Sequence, residues 1–505
     1  MDAGANSRNS ARQYVGAPHA GNGVIPTKRR SEEAGQDERR DTRRVGVAVV
    51  GIGGAVATTA VAGVALLRRG TVSRHGLPLA GLERSLTAAL APYETLEFGG
   101  WDLDGADLAQ AARTHRVLDA AQLEEVREEL AAVRPWPAVA SATWCRGVDG
   151  RHRRIAETLR EAVAAVRADL AAFRKTRALD TVVMLNLAST EATPDVDAAC
   201  FATPEAFESA LDADDPRIPP AALYAYAAIL EGVPYANFTP SAAADLPALA
   251  ELARRRGVPV AGKDGKTGQT FVKTVLAPAL RDRALHVDGW CSHNILGNRD
   301  GEALRDPASL QAKLGTKAAA LDAILGYHVE DHVVTIQYYR PRGDNKEAWD
   351  TIDLVGFLGQ PMQLKLNFLC KDSILAAPLA LELARLLDLA ARHGDGGVQE
   401  QLGVFFKSPS TRMPGATPVH AFPEQQQRLL AWIATAAADL ATDDAIRVVS
   451  VSTRAESLRD RAVPLAAAAG IADARPDVHR LPVRTLTNRP VTSPTAARAA
   501  DALDA

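Results

Sequence analysis

The sequence has few cysteines and no excess of one charge. Its 505 residues include only four cysteines, Cys145, Cys200, Cys291 and Cys370, which lie far apart and form no CxxC pair. Such sparse cysteine is typical of a reducing compartment and argues against a disulfide framework or a structural zinc site, so we expect a cytoplasmic protein. Lysine and arginine number 58 and aspartate and glutamate 61, a net charge of −3, which gives no reason to expect a nucleic-acid or membrane partner.

Several motifs that mark an active site are absent as well. The sequence contains no HExxH, no GxSxG, no P-loop and no His/Cys spacing typical of a metal site. Its motifs do not decide whether a metal ion assists the reaction. What is present is an ordinary globular composition, with 47% hydrophobic and 24% charged residues, over a length that predicts two or three domains.

One uncharged run, residues 45–67, permits two interpretations. It is long enough to cross a bilayer and follows Arg43 and Arg44, so a membrane span or an export signal is one hypothesis. Its glycine, alanine, threonine and valine content favours the other, a buried strand over 45–52, a glycine-rich turn and a helix over 57–70.

The glycine-rich turn has the features of a dinucleotide site. Gly51, Gly53 and Gly54 would let the backbone approach a pyrophosphate at the N-terminus of the following helix. The pattern is incomplete, because Val56 stands where the third glycine of GxGxxG belongs and no acidic residue follows about 20 residues later. Asp102 is the nearest replacement, and an insertion between the helix and the next strand would account for the delay.

Alternating strands and helices predict an α/β fold with a mainly parallel sheet. We expect strands at 181–189 and 258–262, a helical region at 105–134 and a long helix over 154–175.

After residue 276 the pattern changes to a second, more antiparallel unit. Residues 286–296, 332–341 and 362–370 are strand-like, and 374–392 return to a helical pattern. The predicted organisation is a disordered tail (1–40), a Rossmann-type domain (41–276), a second domain (277–372), a return to the Rossmann-type domain (373–450) and a largely loose C-terminal extension (451–505).

The densest segment for chemistry is AGKDGKTGQTFVKTVLAP (261–278). Its glycines predict a mobile loop, and Lys263, Lys266 and Lys273 supply positive charge for an anion, with a solvated basic loop as the alternative. Further on, Lys313 and Lys317 lie on one face if that segment is helical, where two like charges cost stability unless an anion lies between them.

The order of the short motifs resembles the myo-inositol-1-phosphate synthase family. The blocks are GIGGAVATT, LEFGGWDL, NLASTE, LEGVPYANFTPS, GKDGKTGQTFVKTVLAP, LGNRDGEAL, AKLGTK, RPRGDNKEAWD, CKDSILAAPLALEL and FFKSP. Their order over residues 45–409 is more specific than any single motif and counts against the export hypothesis. The resemblance implies a Rossmann-type NAD-binding domain with an inserted α+β catalytic and tetramerisation domain (277–372), in a homotetramer.

The resemblance also implies a cyclisation of a hexose phosphate without net redox change. C5 of D-glucose 6-phosphate is oxidised by bound NAD, the ketone acidifies C6–H, the enol attacks the C1 aldehyde, and reduction of C5 gives 1D-myo-inositol 3-phosphate. Lysines suit this chemistry because the enolate and the aldolate both develop negative charge. A lysine crowded by other lysines also has a depressed pKa, which favours proton transfer near neutral pH.

Matching positions give the roles that the resemblance implies for single residues. The catalytic set is Lys313, Lys317, Lys346, Lys407, Asp372 and Asp344, in which Lys407 is a candidate to handle the C5 hydroxyl proton and Asp372 to orient a lysine. The substrate contacts are Thr267, Lys273, Asn298, Arg299 and Asp300. The cofactor contacts are Gly51, Gly53, Gly54, Thr58, Asp102, Ser189, Thr190, Glu191, Asn237 and Asp264. For the lysines, a surface or structural ion pair is the alternative.

Two departures from the family pattern put the substrate in question. Arg299 stands where many relatives carry asparagine or glycine, and NLASTE lacks the tryptophan common in eukaryotic relatives; both fit a divergent bacterial branch. Two alternatives therefore stay open. One is a related cyclase that makes a five-membered cyclitol phosphate from fructose 6-phosphate for carbocyclic nucleosides, and the other is a non-catalytic sensor of NAD and sugar phosphate.

Overall fold

Seven parallel strands form the central sheet in a computed structural model that describes residues 43–145, 150–298, 301–302, 320–413 and 415–442. The strands are β1 (Val45–Val50), β2 (Leu96–Asp102), β3 (Trp136–Pro137), β4 (Thr181–Asn186), β5 (Tyr235–Asn237), β6 (Pro259–Gly262) and, late in the chain, β11 (Gly397–Val398). Their spatial order is β3-β2-β1-β4-β5-β6-β11, and every pairing is parallel. In this Rossmann order, ligands bind at the carboxyl ends of the strands where the order reverses, between β1 and β4.

Helices cover both faces of this sheet. The helices are numbered in chain order as α1 (Ala55–Arg69), α2 (Arg84–Thr87), α3 (Leu108–His115), α4 (Ala120–Glu125), α5 (Arg127–Ala131), α6 (Leu159–Thr176), α7 (Pro204–Asp212), α8 (Pro220–Leu230), α9 (Pro247–Arg256), α10 (Gly268–Asp282), α11 (Asp372–His393) and a last helix over 422–442. Of these, α10 packs against the second sheet described below. One core packs under α1, α3 and α11, and the other under α6, α8 and α9. Because both faces are covered, the central strands are continuous apolar runs.

The uncharged run at 45–67 is a strand, a turn and a helix. Every residue of β1 is buried, and α1 is only 15 residues long. Among the described residues, no helix is both long enough and apolar enough to cross a membrane.

The insertion expected between the first helix and the second strand spans 70–95. The buried carboxylate of Glu382, on α11, holds it by accepting hydrogen bonds from the Leu79 N–H at 2.9 Å and the Tyr93 hydroxyl at 2.5 Å. The insertion therefore folds onto the body, and β2 returns beside β1. Asp102 ends β2 next to the glycine-rich turn although 49 positions separate it from Gly53.

A second sheet of four strands lies within 277–372. The strands are β7 (His286–Leu296), β8 (Asp331–Tyr338), β9 (Asn345–Val355) and β10 (Pro361–Lys371), in the order β10-β9-β7-β8. β9 is antiparallel to both neighbours, but β7 and β8 are parallel, so the sheet is mixed. Helix α10 packs on one face through Ala277 and Leu280. The other face exposes Val333, Trp349 and Leu369.

Several element boundaries differ from the sequence expectations. The loop expected over 261–278 ends at Thr267, because α10 begins at Gly268. The long helix begins at Leu159, not at 154, because the Thr158 side chain accepts the Glu161 N–H at 3.2 Å. The 105–134 region is three short helices. The sequence pattern does not indicate strand β9, because its charged residues obscure the alternation of apolar and polar positions. The predicted tails at 1–40 and 451–505 lie outside the described residues.

Candidate active site

A cavity of about 250 Å³ opens at the carboxyl ends of β1, β2, β4, β5 and β6. Its walls include many of the predicted site residues: Gly51, Gly54, Asp102, Ser189, Thr190, Glu191, Asp264, Thr267, Asn298, Lys346, Asp372 and Lys407. The cavity thus collects residues predicted for cofactor, substrate and catalysis, although they come from both sheets.

The glycine-rich turn and Asp102 form one end of the cavity. Gly51 has a φ of +85°, and a Cβ there would lie 2.9 Å from the Cα of Ala188, so only glycine fits. The Gly53 N–H donates to Asp102 Oδ2 at 2.8 Å. Helix α1 then begins with no side-chain cap and no acidic residue in its first turn. An open helix N-terminus beside a carboxylate at the end of β2 is the arrangement that binds a dinucleotide, so these residues fit NAD.

Glu191 lines the same end of the cavity. Its carboxylate accepts the Ala221 N–H at 3.2 Å, at the N-terminus of α8. Burial raises the pKa of Glu191 to about 8, against the smaller lowering effect of that hydrogen bond. Glu191 is therefore mostly protonated at neutral pH.

Thr58 and Asn237, both predicted to contact the cofactor, instead stabilise the backbone next to the cavity. The Thr58 hydroxyl donates to Gly54 O at 2.9 Å within the first turn of α1. The Asn237 side chain accepts the Thr239 hydroxyl at 2.8 Å and donates to Ser241 O at 2.6 Å, which fixes the loop after β5. Neither residue is among those that line the cavity.

Lys407 and Asp264 form a buried ion pair at the cavity wall. Lys407 Nζ lies 2.6 Å from Asp264 Oδ1, and the two side chains are 6% and 4% exposed. The backbone fixes the pair as well, because the Lys407 N–H donates to Asp264 O at 2.7 Å and the Asp264 N–H donates to Thr239 O at 3.0 Å. The ammonium is therefore held at one position.

Lys346 and Asp372 form a second and looser pair. Lys346 Nζ lies 3.2 Å from Asp372 Oδ1, which also accepts the Thr267 hydroxyl at 3.2 Å. The antiparallel register places Lys346 opposite Cys370, so the start of β9 meets the residue that follows β10. A Cβ on Gly268 would lie 3.6 Å from Lys346 Nζ, which places the ammonium over the first residue of α10.

Asp344 stabilises the segment that carries Asp372 of this pair. Its carboxylate accepts the Ser373 N–H at 3.1 Å, the Ser373 hydroxyl at 2.8 Å and the Asn298 amide at 3.3 Å. It therefore caps α11 and holds Asp372 in place. Burial raises its pKa above the ordinary aspartate value. Asp344 is not among the cavity-lining residues, so we assign it a positioning role.

Of the helices numbered above, α1, α8, α10 and α11 begin at the cavity, and their N-termini fall into two kinds. The first turns of α8 and α11 receive the carboxylates of Glu191 and Asp344. Those of α1 and α10 have neither a side-chain cap nor an acidic residue. Open N-termini bind anions, so the cavity offers two anion positions.

Lys273, predicted to contact substrate, is not among the residues that line the cavity. It is buried under the four-stranded sheet, where its Nζ is 2.5 Å from His332 Nε2 and 5.6 Å from the centre of the Trp290 ring. Burial lowers the pKa of Lys273 to about 8 and that of His332 to about 4, so the imidazole accepts from the amine. In the described residues Lys273 belongs to the core between α10 and β7.

The remaining predicted residues, Lys313, Lys317, Arg299 and Asp300, lie outside the described residues. Within the described ranges, no group of three His, Cys, Asp or Glu side chains is placed to hold a metal ion.

Two residues of the site were not expected from the sequence. The Ser373 side chain and N–H hold Asp344, and His115 Nε2 lies 2.8 Å from Gly53 O, on the glycine-rich turn. Ser373 lies in the CKDSILAAPLALEL block, but the resemblance implies no role for it. His115 follows no motif, and only its position after β2 could have indicated it.

Comparison with known proteins agrees with the geometry. The sequence model of an NAD-binding family described as myo-inositol-1-phosphate synthase matches residues 83–434. Inositol-3-phosphate synthase 1 of Bacteroides thetaiotaomicron is 40% identical, over 74% of this chain and 91% of that protein. Inositol-3-phosphate synthase 1 of rice is 32% identical, over 79% of this chain and 87% of that protein. The crystal structure of inositol-3-phosphate synthase from Caenorhabditis elegans matches with a TM-score of 0.73 at 24% identity, over 78% of this chain and 86% of that one.

These matches confirm the predicted Rossmann-type α/β fold, the NAD cofactor and an enzyme of the isomerase kind. They favour neither the five-membered-ring cyclase nor the non-catalytic sensor. With a family match over residues 83–434 and a relative at 40% identity, the chain belongs to the myo-inositol-1-phosphate synthase family.

Proposed function

We propose that this chain converts D-glucose 6-phosphate into 1D-myo-inositol 3-phosphate with NAD. The observation that carries the proposal is the pair of open helix N-termini at one cavity, one beside Asp102 and one beside Lys346. A dinucleotide and a sugar phosphate together present two anionic groups, and each N-terminus suits one of them.

The sugar phosphate binds at the start of α10. Backbone N–H groups of the first turn, the Thr267 hydroxyl and Lys346 Nζ are its donors. Lys346 is free to turn from Asp372 to the phosphate, because its pair is long and partly open to the cavity. A lysine at a phosphate acts as a point charge and needs no fixed angle.

Lys407 handles the proton of the C5 hydroxyl. The glycine-rich turn, Asp102 and the N-terminus of α1 would hold NAD, which would supply a hydride acceptor and donor for C5. In its uncharged form the Lys407 amine takes the hydroxyl proton as the C5 ketone forms, becomes the ammonium that Asp264 holds in the ion pair, and gives the proton back when that ketone is reduced. The ketone acidifies C6–H, the resulting enolate attacks the C1 aldehyde to close the ring, and the alkoxide formed at C1 takes up a proton in place of the one lost from C6, so the closure has no net proton change. Positive charge at the cavity stabilises the oxyanions of both stages.

A product assay tests this function. NAD-loaded protein is given glucose 6-phosphate or fructose 6-phosphate in separate reactions, and the phosphorylated product is identified by NMR. The proposal predicts an inositol phosphate from glucose 6-phosphate. A five-membered cyclitol from fructose 6-phosphate, or turnover of neither sugar, would contradict it.

We further propose that the four-stranded sheet joins subunits in a homotetramer. Its outer face exposes Val333, Trp349 and Leu369 at 46%, 42% and 58%, and β10 is an 11-residue edge strand. Exposed apolar faces and long unpaired edges mark contact surfaces. Trp349→Glu should lower the mass measured by light scattering, whereas Ile155→Glu, at a residue 96% exposed on another surface, should leave it unchanged. An unchanged mass for Trp349→Glu would contradict this interface. The four cysteines, all within the described residues, form no disulfide, which fits a cytosolic location.

A further inference from the structure

Lys266 is a buried lysine of the active-site loop that the proposed mechanism does not use. It lies between Asp264, which holds Lys407, and Thr267, which precedes α10. Its side chain points away from the cavity and is 4% exposed. The Nζ donates to Gln425 Oε1 and lies 5.7 Å from the centre of the Phe422 ring, both in the last helix.

No described carboxylate pairs with Lys266, which separates it from its neighbours. Lys263 on the same loop pairs with Asp245 at 2.7 Å. Asp264 pairs with Lys407 and Asp372 with Lys346. The carboxylate of Asp264 on the same loop and that of Asp372 at the start of α11 are thus paired with other lysines.

The groups of the C-terminal segment that contact Lys266, the Gln425 amide and the Phe422 ring, carry no charge. His420 is 8% exposed, and burial together with Lys266 lowers its pKa to about 4. Glu424, which precedes Gln425, is exposed and pairs with Arg428 at 2.7 Å. Burial lowers the pKa of Lys266 to about 7, with no charged partner to raise it.

We infer that Lys266 couples proton uptake to binding of the phosphate group: its buried amine, which has no carboxylate partner among the described residues, takes up a proton when a dianion binds at the start of α10. The inference rests on the proposed function, which places the sugar phosphate there. The backbone step from Lys266 to Thr267 and the length of one lysine side chain separate the amine from that anion by about 10 Å. Because the anion lies in an open, hydrated cavity, an effective dielectric constant of about 50 applies, and a dianion at this distance then raises the pKa of the amine by about one pH unit.

The sign of the effect follows from the linkage. Below about pH 7 the amine is charged with or without the anion, so affinity is at its maximum. Between about pH 7 and 8 only the anion-bound protein keeps the proton, so affinity falls as pH rises. Above that window the amine is neutral in both states. The total loss of affinity is therefore about tenfold.

Sulfate is the probe, because it stays a dianion over this range and is not turned over. Its inhibition constant against glucose 6-phosphate is measured on NAD-saturated protein from about pH 6 to 9. The variants are Lys266→Met, which removes the amine, and Gln425→Glu, which supplies a carboxylate that keeps the amine charged. Lys263→Met is the matched control on the same loop.

In the wild type and in Lys263→Met, the inhibition constant should rise about tenfold across the window. In Lys266→Met the inhibition constant of sulfate should not change across the window. It should stay at the high value that the wild type reaches at high pH. Gln425→Glu should also remove the rise and does not depend on the folding of Lys266→Met. Glu191 and Lys273 titrate near pH 8 in every variant, so only the difference between variants counts.

The same rise in Lys266→Met and Gln425→Glu as in the wild type would overturn the inference. Sulfate that does not compete with glucose 6-phosphate would overturn it as well, because the anion position would be wrong. A wild-type protein that does not turn over glucose 6-phosphate contradicts the proposed function instead, so the two failures are distinct.

Discussion

The two lysine–aspartate pairs at the cavity come from different parts of the fold and differ in tightness. Lys407 and Asp264 both follow strands of the seven-stranded sheet, lie 2.6 Å apart and are almost fully buried. Lys346 and Asp372 come from the ends of the four-stranded sheet, lie 3.2 Å apart and are 10% and 16% exposed. The tight pair suits a proton transfer at a fixed position, whereas the looser pair, beside an open helix N-terminus, suits an anion that enters and leaves.

The strongest test of this difference is Lys407→Met. We expect kcat to fall by about 10² to 10⁴, the usual contribution of a positioned proton-transfer group, while the KM for glucose 6-phosphate changes little. NAD binding should persist, because Lys407 is not part of the glycine-rich turn. Steady-state kinetics with a fluorescence titration of NAD check both.

Lys263→Met is the matched control for Lys407→Met. Lys263 lies on the same loop as Asp264, but its ammonium pairs with Asp245 at a partly exposed position. Activity close to wild type is the expected outcome. Equal losses in the two variants would contradict a special role for the Lys407 pair.

Lys346→Met should weaken substrate binding more than it slows the chemical step. Removing a charge-assisted contact to the phosphate costs about 1.5 to 3 kcal/mol, so the KM should rise by roughly 10- to 100-fold, and kcat should fall less than in Lys407→Met. Initial rates over a range of substrate concentration separate the two constants. A loss confined to kcat would contradict the division of roles between the pairs.

Asp344→Asn should have a smaller effect, because Asp344 positions Asp372 and contacts no substrate in this account. Asparagine keeps an acceptor for the Ser373 N–H but removes the carboxylate charge at the start of α11. We expect kcat/KM to fall about tenfold. Asp344→Ala should cost more, and equal effects of the two would argue against a capping role.

Glu191→Gln should change the pH dependence of stability with little effect on activity. Because the Glu191 pKa is raised in the folded protein, to about 8, the folded state holds a proton that the unfolded state has released. The free energy of unfolding therefore falls as pH rises from about 4.5 to 8, by roughly 1 kcal/mol per pH unit from this group.

Urea unfolding of the NAD-free protein between about pH 5.5 and 7 measures this slope. Lys266 and Lys273 are largely protonated there in both states, so they contribute less than Glu191. The wild type should lose stability relative to Glu191→Gln as the pH rises. Parallel curves for the two proteins would contradict a raised Glu191 pKa.

Much of the fold was predictable from the sequence, and the reasons are physical. Strands β1, β4 and β7 are apolar or alternating runs, and their pattern alone indicates them. Strand β9 carries Lys346, Glu347, Asp350 and Asp353, and these charged residues obscure the alternating pattern of a strand whose inner face is buried. The start of α10 was missed because glycines at 262, 265 and 268 indicate a loop, although Gly268 opens a helix.

The site was predictable in composition but not in arrangement. The motif order named Asp344, Lys346 and Asp372, but the capping of α11 by Asp344 depends on a strand register that no local pattern encodes. Lys273 shares its segment with Thr267 and yet faces the other side of α10, against Trp290. A motif identifies residues that share a segment, whereas the helix that carries them decides which face they use.

The central claim is that one cavity holds NAD and the sugar phosphate together, so that a single hydride leaves C5 and returns to it. The most direct test uses glucose 6-phosphate with deuterium at C5, with NAD-loaded protein and no other reductant. We predict that the inositol phosphate keeps the deuterium on the carbon that was C5, and that no NADH accumulates. Loss of the deuterium, or net formation of NADH with no cyclised product, would contradict the account.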